Sequence, residues 1–307
     1  NISETLTNTT NAQINVTYVY TITSNGCSAT NDVVVSVKPT PTVDAISAQT
    51  LCTGVTSTAI TFASTFNVTG TTYAWSNSNT SIGLAASGTT SVPTFTATNT
   101  TNSAISGTIT VTPTANGCSG SNQTATITVN PTPAVIGGGA ATVCVGGTTP
   151  AFTNAVGGGT WSITNGTGSA TISGGGVVTG VTTGTATVVY SIGTCTVSTP
   201  ISVITIPTAV VGPSPADAAT NICYTGVGAI TFISWTASAS ATSYDVYFGA
   251  GSLPGTVTSN VATNTYNTGA LAASTTYYWR VVAKNSCGDA VTSATFTFTT
   301  RALSCDP

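Results

Sequence analysis

Two stretches of this chain, NGCSATNDVVVSVKPTPTV from Asn25 and NGCSGSNQTATITVNPTPAV from Asn116, share one plan. Each has an Asn-Gly-Cys-Ser turn, then an alternating Thr/Val run, then Pro-Thr-Pro. Asn-Gly marks a tight turn, and alternation with period two reads as a strand with one buried face. Proline has no N–H and a fixed φ, so two prolines in three residues end the strand and stiffen the connection. A chain that repeats turn, strand and stop is built from β-units laid one after another.

Composition agrees. Only 4% of the 307 residues are charged, where a globular domain is usually about a quarter charged. There is no His and no Met, and Glu4 is the only Glu. Thr, Ser, Asn and Gly replace the charges; Thr suits a pleated surface and keeps its outer face wettable. The expected fold class is all-β, with a neutral, hydroxyl-covered exterior. Four basic residues make no patch able to neutralise several phosphates, so nucleic acid is not an expected partner. No run approaches the roughly 20 apolar residues of a membrane span. A surface without charge also lacks the usual guard against strand edges pairing between molecules, so association with other copies or neighbouring repeats is expected. Hydration of Thr and Asn alone is the alternative that keeps the chain apart.

Eight cysteines stand at 27, 52, 118, 144, 195, 223, 287 and 305. Without His or a CxxC pair they form no zinc site, and no metal or cofactor is expected. Disulfides in an oxidising, extracellular setting are the expectation. The chain begins at Asn1 with no Met, charged n-region or apolar h-region, which reads as a processed chain or a segment of a longer one.

Aligning the repeat on itself divides the chain. Residues 1–41 read as the C-terminal part of a truncated unit and 42–133 as a complete one, the size of an Ig-like sandwich. In the latter, Ile60–Phe62, Thr72–Trp75, Ile109–Val111 and Ala125–Val129 alternate as strands, and Trp75 is the expected core residue. Residues 134–208 repeat the plan with more glycine. The Gly-Gly-Gly runs at 137–139, 157–159 and 174–176 precede no helix and read as tight turns, not phosphate loops. Residues 209–300 form a fourth unit, and 301–307 start a linker or a next repeat. Four end-to-end sandwiches make an elongated rod. Within it the pairs Cys52–Cys118, Cys144–Cys195 and Cys223–Cys287 place one bridge in each complete unit, each worth on the order of 4 kcal/mol through loop closure. Cys27 and Cys305 then find partners outside their own unit; a Cys27–Cys305 bridge is the alternative, opposed by the distance a rod would put between them.

The fourth unit resembles the fibronectin type III pattern in Ile233-Ser234-Trp235, Ser243–Phe248, Leu271 and Thr276–Ala283. The resemblance implies a tyrosine corner at Tyr277, or at Tyr278 if the register shifts by one. Cys223 and Cys287 are not part of that pattern. The earlier units resemble the PKD-like and bacterial Ig-like repeats of long secreted surface proteins, most specifically in the Asn-Gly-Cys-Ser to Pro-Thr-Pro phrase. Such repeats typify Bacteroidota proteins exported by the type IX system, gliding adhesins among them. The resemblance implies a cell-surface stalk or filament that acts in reach and adhesion, with surface polysaccharide or another cell surface as the thing touched.

Chemistry is absent from the pattern. An enzyme needs a base, an activated nucleophile or a metal, and neither His nor a close acidic cluster is present. Asp44 and Asp217 are the only candidates for a calcium linker, Lys38 and Lys284 for an isopeptide bond; turn and surface roles fit all four better. Asn-x-Ser/Thr sequons at Asn1, Asn8, Asn15, Asn67, Asn79, Asn99, Asn122 and Asn165 follow from composition, with surface glycans as the alternative. Tyr18, Tyr20, Tyr244, Tyr247 and Tyr277–Trp279 could build a sugar platform, though alternating aromatics are more often core. The rival functions are a carbohydrate-binding module and an accessory region of a secreted enzyme.

Overall fold

The computed structural model describes residues 3–226, 229–252 and 257–303. It is all-β: apart from one 3₁₀ turn at Thr80–Ile82, every regular element described is a strand. The first segment contributes β1 (Ile14–Ser24) and β2 (Cys27–Val37), an antiparallel hairpin whose turn is Asn25-Gly26, both at positive φ. Val37 is the last strand residue before Pro39.

The second segment holds β3 (Gln49–Cys52), β4 (Ile60–Thr61), β5 (Thr72–Asn77), β6 (Ser87–Thr89), β7 (Ser91–Val92), β8 (Ile105–Ala115), β9 (Cys118–Ser119) and β10 (Gln123–Asn130). One sheet runs β3-β10-β8-β5-β6, and β4 pairs β7 across the core. That order, with β3 parallel to β10 and the rest antiparallel, is the two-sheet arrangement of an Ig-like sandwich. The alternation read from sequence is the cause: Ile109, Val111, Ile127 and Val129 face inward, fully buried, and the Thr residues between them face out. Trp75 lies in this core at 4% exposure and donates Nε1–H to Ser91 O at 2.9 Å.

The third segment has β11 (Gly137–Gly138), β12 (Thr142–Cys144), β13 (Phe152–Thr153), β14 (Thr160–Asn165), β15 (Ser169–Ile172), β16 (Val178–Thr182), β17 (Gly184–Ile192) and β18 (Cys195–Ile204). Its main sheet is ordered β12-β18-β17-β14, again with the first strand parallel to the last. Of the glycine runs expected to be turns, 174–176 joins β15 to β16, but Gly137–Gly138 is itself an edge strand pairing β13. Backbone groups pair whether or not a side chain is present, so glycine spacing does not separate the two cases.

The fourth segment has β19 (Val211–Ser214), β20 (Ala219–Ile222), β21 (Phe232–Thr236), β22 (Ser243–Ala250), β23 (Val257–Val261), β24 (Thr265–Asn267), β25 (Thr276–Asn285), β26 (Gly288–Asp289) and β27 (Phe296–Thr300). Sheets β19-β21-β24 and β20-β27-β25-β22-β23 enclose Trp235, Tyr244, Trp279 and Phe298. Tyr277 is the corner tyrosine: buried, its Oη accepts the N–H of Ala272 at 2.8 Å. Lys284 on β25 pairs with Asp245 on β22 at 3.1 Å. The Arg280 guanidinium lies 4.4 Å from the centre of the Tyr247 ring, a cation–π contact.

By compactness the chain forms two units. One comprises Asn1–Val135, Asn154–Thr160 and Tyr190–Val197; the other comprises Ile136–Thr153, Trp161–Val189 and Ser198–Pro307. Among the described residues no helix is long and apolar enough to cross a membrane.

Candidate functional site

The cysteines take two structural positions, and β-register sets both. Cys52 ends β3 opposite Asn130, the last residue of β10; Cys144 ends β12 opposite Ile204, the last residue of β18. Cys223 directly follows β20, whose Ile222 lies opposite Thr300 at the end of β27. These three stand where the chain leaves a sandwich. The other position is the first strand residue after a hairpin turn. Cys27 follows Asn25-Gly26, Cys118 follows Asn116-Gly117 and Cys195 follows Gly193-Thr194. Cys287 lies in the turn between β25 and β26. These four stand at the opposite end.

The bridges therefore cross from one segment to the next. Cys52 is bonded to Cys195 and Cys144 to Cys287, with Cα separations of 5.7 and 5.5 Å. Each spans 143 residues. This overturns the expected pairs Cys52–Cys118, Cys144–Cys195 and Cys223–Cys287. Within a sandwich the two positions lie a full strand apart: about ten residues of β8 at roughly 3.3 Å each separate the Cys52 end from Ala115, which faces Cys118. A disulfide needs its Cα atoms within about 7 Å. The same count along β18 separates Cys144 from Cys195, and along β25 it separates Cys223 from Cys287. Cys118 and Cys27 are free, Cys118 half-buried and Cys27 exposed. Cys223 is disulfide-bonded. Cys305 lies outside the described residues, so the expectation for it, like that for the sequon at Asn1, stands where it was.

Around the Cys52–Cys195 bridge the backbone fits closely. Thr53 N–H donates to Asn130 O at 3.1 Å, which holds the strand end in place. Gly193 sits at φ +58°, and a Cβ there would lie 2.3 Å from the Asn130 amide nitrogen, so glycine is required twice over. At the second bridge Asn285 clamps the joint: Nδ2 donates to Thr205 O and Ser240 O, and Oδ1 accepts from Cys287 N–H at 2.8 Å. The turn before Cys118 is met in the same way by the preceding segment. Lys38 Nζ donates to Asn116 O at 2.7 Å, and a Cβ on Gly120 would overlap Pro41 O at 1.8 Å. What the first segment lacks, among the described residues, is a strand parallel to β2 that ends in cysteine.

Sequence reading also missed a latch. Asn8 and Asn99 each open an Asn-Thr-Thr-Asn run, 91 residues apart like Cys27 and Cys118. Asn99 Nδ2 donates to Ser103 O and Val129 O, and Oδ1 accepts from Thr101 N–H; Asn8 makes the same bonds to Ala12 O, Val37 O and Thr10 N–H. Both side chains are buried, which removes these two sequons as glycan sites. Comparing the offset of one repeat with that of the other would have found them.

The remaining polar candidates have structural partners. Asp44 accepts from Thr65 N–H, and Asp217 from Ala218 and Thr297 N–H. Among the described residues no three acidic or cysteine side chains gather as a metal site. Two ionisable groups are shifted. The Asp245 hydrogen bond and charge hold Lys284 above its ordinary value, and burial, with the Asp44 charge, pushes the Tyr73 phenol up. Tyr244, Tyr277 and Trp279 are core residues and build no platform, whereas Tyr20 is 42% exposed.

No family model matches the chain, and no curated protein does. Several solved structures are similar. Titin domains A168-A170 share 15% identity over 84% of this chain and 97% of that one, with a TM-score of 0.32. An I-band fragment of titin shares 11% over 85% and 97%, at 0.34. Chicken CNTN1 domains FN1-FN3 share 12% over 83% and 99%, at 0.26. At these scores the sandwich assignment stands on strand order and core rather than on likeness. The chain is a disulfide-bonded series of Ig-like and fibronectin III-like β-sandwiches.

Proposed function

We propose that this chain is an extracellular repeat region whose bridges lock each sandwich to the next, giving a surface protein mechanical reach for adhesion. The observation that carries this reading is the pair of bridges that take the same 143-residue step between equivalent positions of successive segments. The bonds fit an oxidising compartment. The sequence phrase that resembles type IX-exported Bacteroidota repeats supports a cell-surface setting, with neighbouring repeats as the first partners and surface polysaccharide or another cell as the target.

The mechanism is geometric. The backbone from Cys52 to Cys287 runs about 235 residues, but with both bridges closed the shortest covalent route is about 51: through sulfur to Cys195, back along the chain to Cys144, and through sulfur to Cys287. At roughly 3.5 Å per extended residue, unravelling of this stretch stops at about 180 Å instead of about 820 Å. Tension is handed from sandwich to sandwich through sulfur, and a segment that opens cannot pay out its full length.

Pulling single chains between handles at Ala48 and Val291 tests this. Reduction should lengthen the fully extended chain by about 640 Å. Peptide mapping without reductant should recover Cys52 joined to Cys195 and Cys144 joined to Cys287. Cys52 joined to Cys118, or no gain in length on reduction, would end the reading.

A further inference from the structure

The β1–β2 hairpin carries the inward-facing residues of a sandwich with nothing over them. Tyr18 and Tyr20 correspond to Ile109 and Val111, at the same 91-residue step; Val33, Val35 and Val37 correspond to Ala125, Ile127 and Val129, one residue further on. In the second segment Ile109, Val111, Ile127 and Val129 are fully buried. In the first, Tyr20 is 42% exposed, Val33 47% and Val35 37%. Glu4, Leu6, Tyr18, Tyr20, Val33 and Val35 line an open cleft of about 380 Å³. Glu4, its one ionisable carboxylate, is held by the Tyr18 hydroxyl. Each hairpin is latched by its own Asn-Thr-Thr-Asn turn, so the first is built in the same conformation as the second and lacks only its cover.

The second segment displays what that cover is. β5 pairs with β8 and sets Trp75 opposite Val111, the counterpart of Tyr20. β3 runs parallel to β10 and ends in Cys52, which reaches the turn cysteine of the next segment. Neither outer edge of the β1–β2 pair has a further strand among the described residues. Beyond the Lys38–Asn116 contact at the end of β2, Cys118 is free at the position that Cys195 and Cys287 hold when bonded. The open face and the free thiol are separate observations, and both ask for the same object.

We infer that this face is the seat of the first strands of an Ig-like sandwich, a polypeptide segment built like residues 42–104, and that its strand parallel to β2 delivers a cysteine to Cys118. The segment belongs to the same array. Both visible bridges join equivalent positions of successive segments by the same 143-residue step, so the matching occupant is another copy of this repeat. The inference rests on the joint rule proposed above and extends it by one joint. Burying the hairpin face removes apolar surface from water and satisfies two strand edges, as in strand addition to a sheet. Closing the bond takes two thiols and one low-molecular-weight disulfide, whose S–S bond breaks and whose two sulfurs leave as thiols carrying the two electrons and two protons.

The probe is a recombinant segment of residues 42–104, whose only cysteine is Cys52, mixed with the oxidised 307-residue chain in a glutathione redox buffer. A one-to-one adduct through probe Cys52 and chain Cys118 is expected by mass spectrometry. Val35→Lys on the open face should slow it at least about tenfold, because the ammonium would be buried. Val19→Lys, on the opposite and exposed face, should leave it unchanged. An adduct at Cys27, equal adducts with all three chains, equal loss with both variants, or no adduct would overturn the inference. Mapping Cys52–Cys195 and Cys144–Cys287 in the same samples separates its failure from failure of the joint rule.

Discussion

The hairpins β1–β2 and β8–β10 are nearly the same text in two contexts. Both have the Asn-Gly turn, the latch asparagine, the alternating run and the proline stop. In one the inward face is sealed beneath Trp75, Ile60 and Val92; in the other it faces solvent. Local sequence thus makes the hairpin, and what lies across from it makes the core. The cysteines repeat the lesson, since Cys118 and Cys195 follow equivalent turns and only one has a partner.

Removing the bridge should show the widest gap. Replacing Cys52 and Cys195 together by Ser opens a 143-residue loop and should cost about 5 kcal/mol by the loop-entropy estimate, read as a fall in denaturation midpoint. Cys118→Ser should change it by less than about 0.5 kcal/mol. Equal effects would mean that the two turns are not in different states. The next contrast is in the cores. Ile127→Asp places a carboxylate in a sealed interior and should cost about 4 kcal/mol, whereas Val35→Asp should stay within about 0.5, both followed by Trp fluorescence in urea.

Smaller effects sharpen the comparison at the turns. Gly193→Ala meets both a positive φ and the Asn130 amide, so about 2 kcal/mol is expected. Gly117→Ala meets the positive φ alone, with nothing within 4 Å, and about 1 kcal/mol is expected. Equal costs would remove the close approach as a cause. The weakest contrast is electrostatic and belongs to the fourth segment. Lys284 is raised by Asp245, so its folded form holds the proton more tightly than the unfolded chain does. That contribution is complete below the ordinary lysine value of 10.5 and is lost as pH rises through the higher folded value. Asp245→Asn should return the Lys284 titration, followed by NMR, toward 10.5 and flatten stability across that alkaline range.

Much of the fold can be read from residue order. Alternation located the strands around Trp75, Ile109 and Ala125, and the Pro-Thr-Pro stops fall where β2 and β10 end. The fibronectin-like spacing placed the corner at Tyr277. The bridge pattern was not legible, because an early and a late cysteine in one unit look like neighbours until it is known which end of a strand each occupies. That depends on β3, β12 and β20 running parallel to the last strand of their sheets. A parallel first strand carries its final residue to the exit of the sandwich, while the turn cysteine stays at the entrance.

Residue order alone thus carries the period, the strand material, the turns and the capacity for disulfides, all properties that residues a few positions apart can encode. Which sulfurs meet and which inward faces are covered depends on long-range packing. That packing needs groups some 143 residues apart to arrive within a few ångströms, and no local pattern specifies that distance.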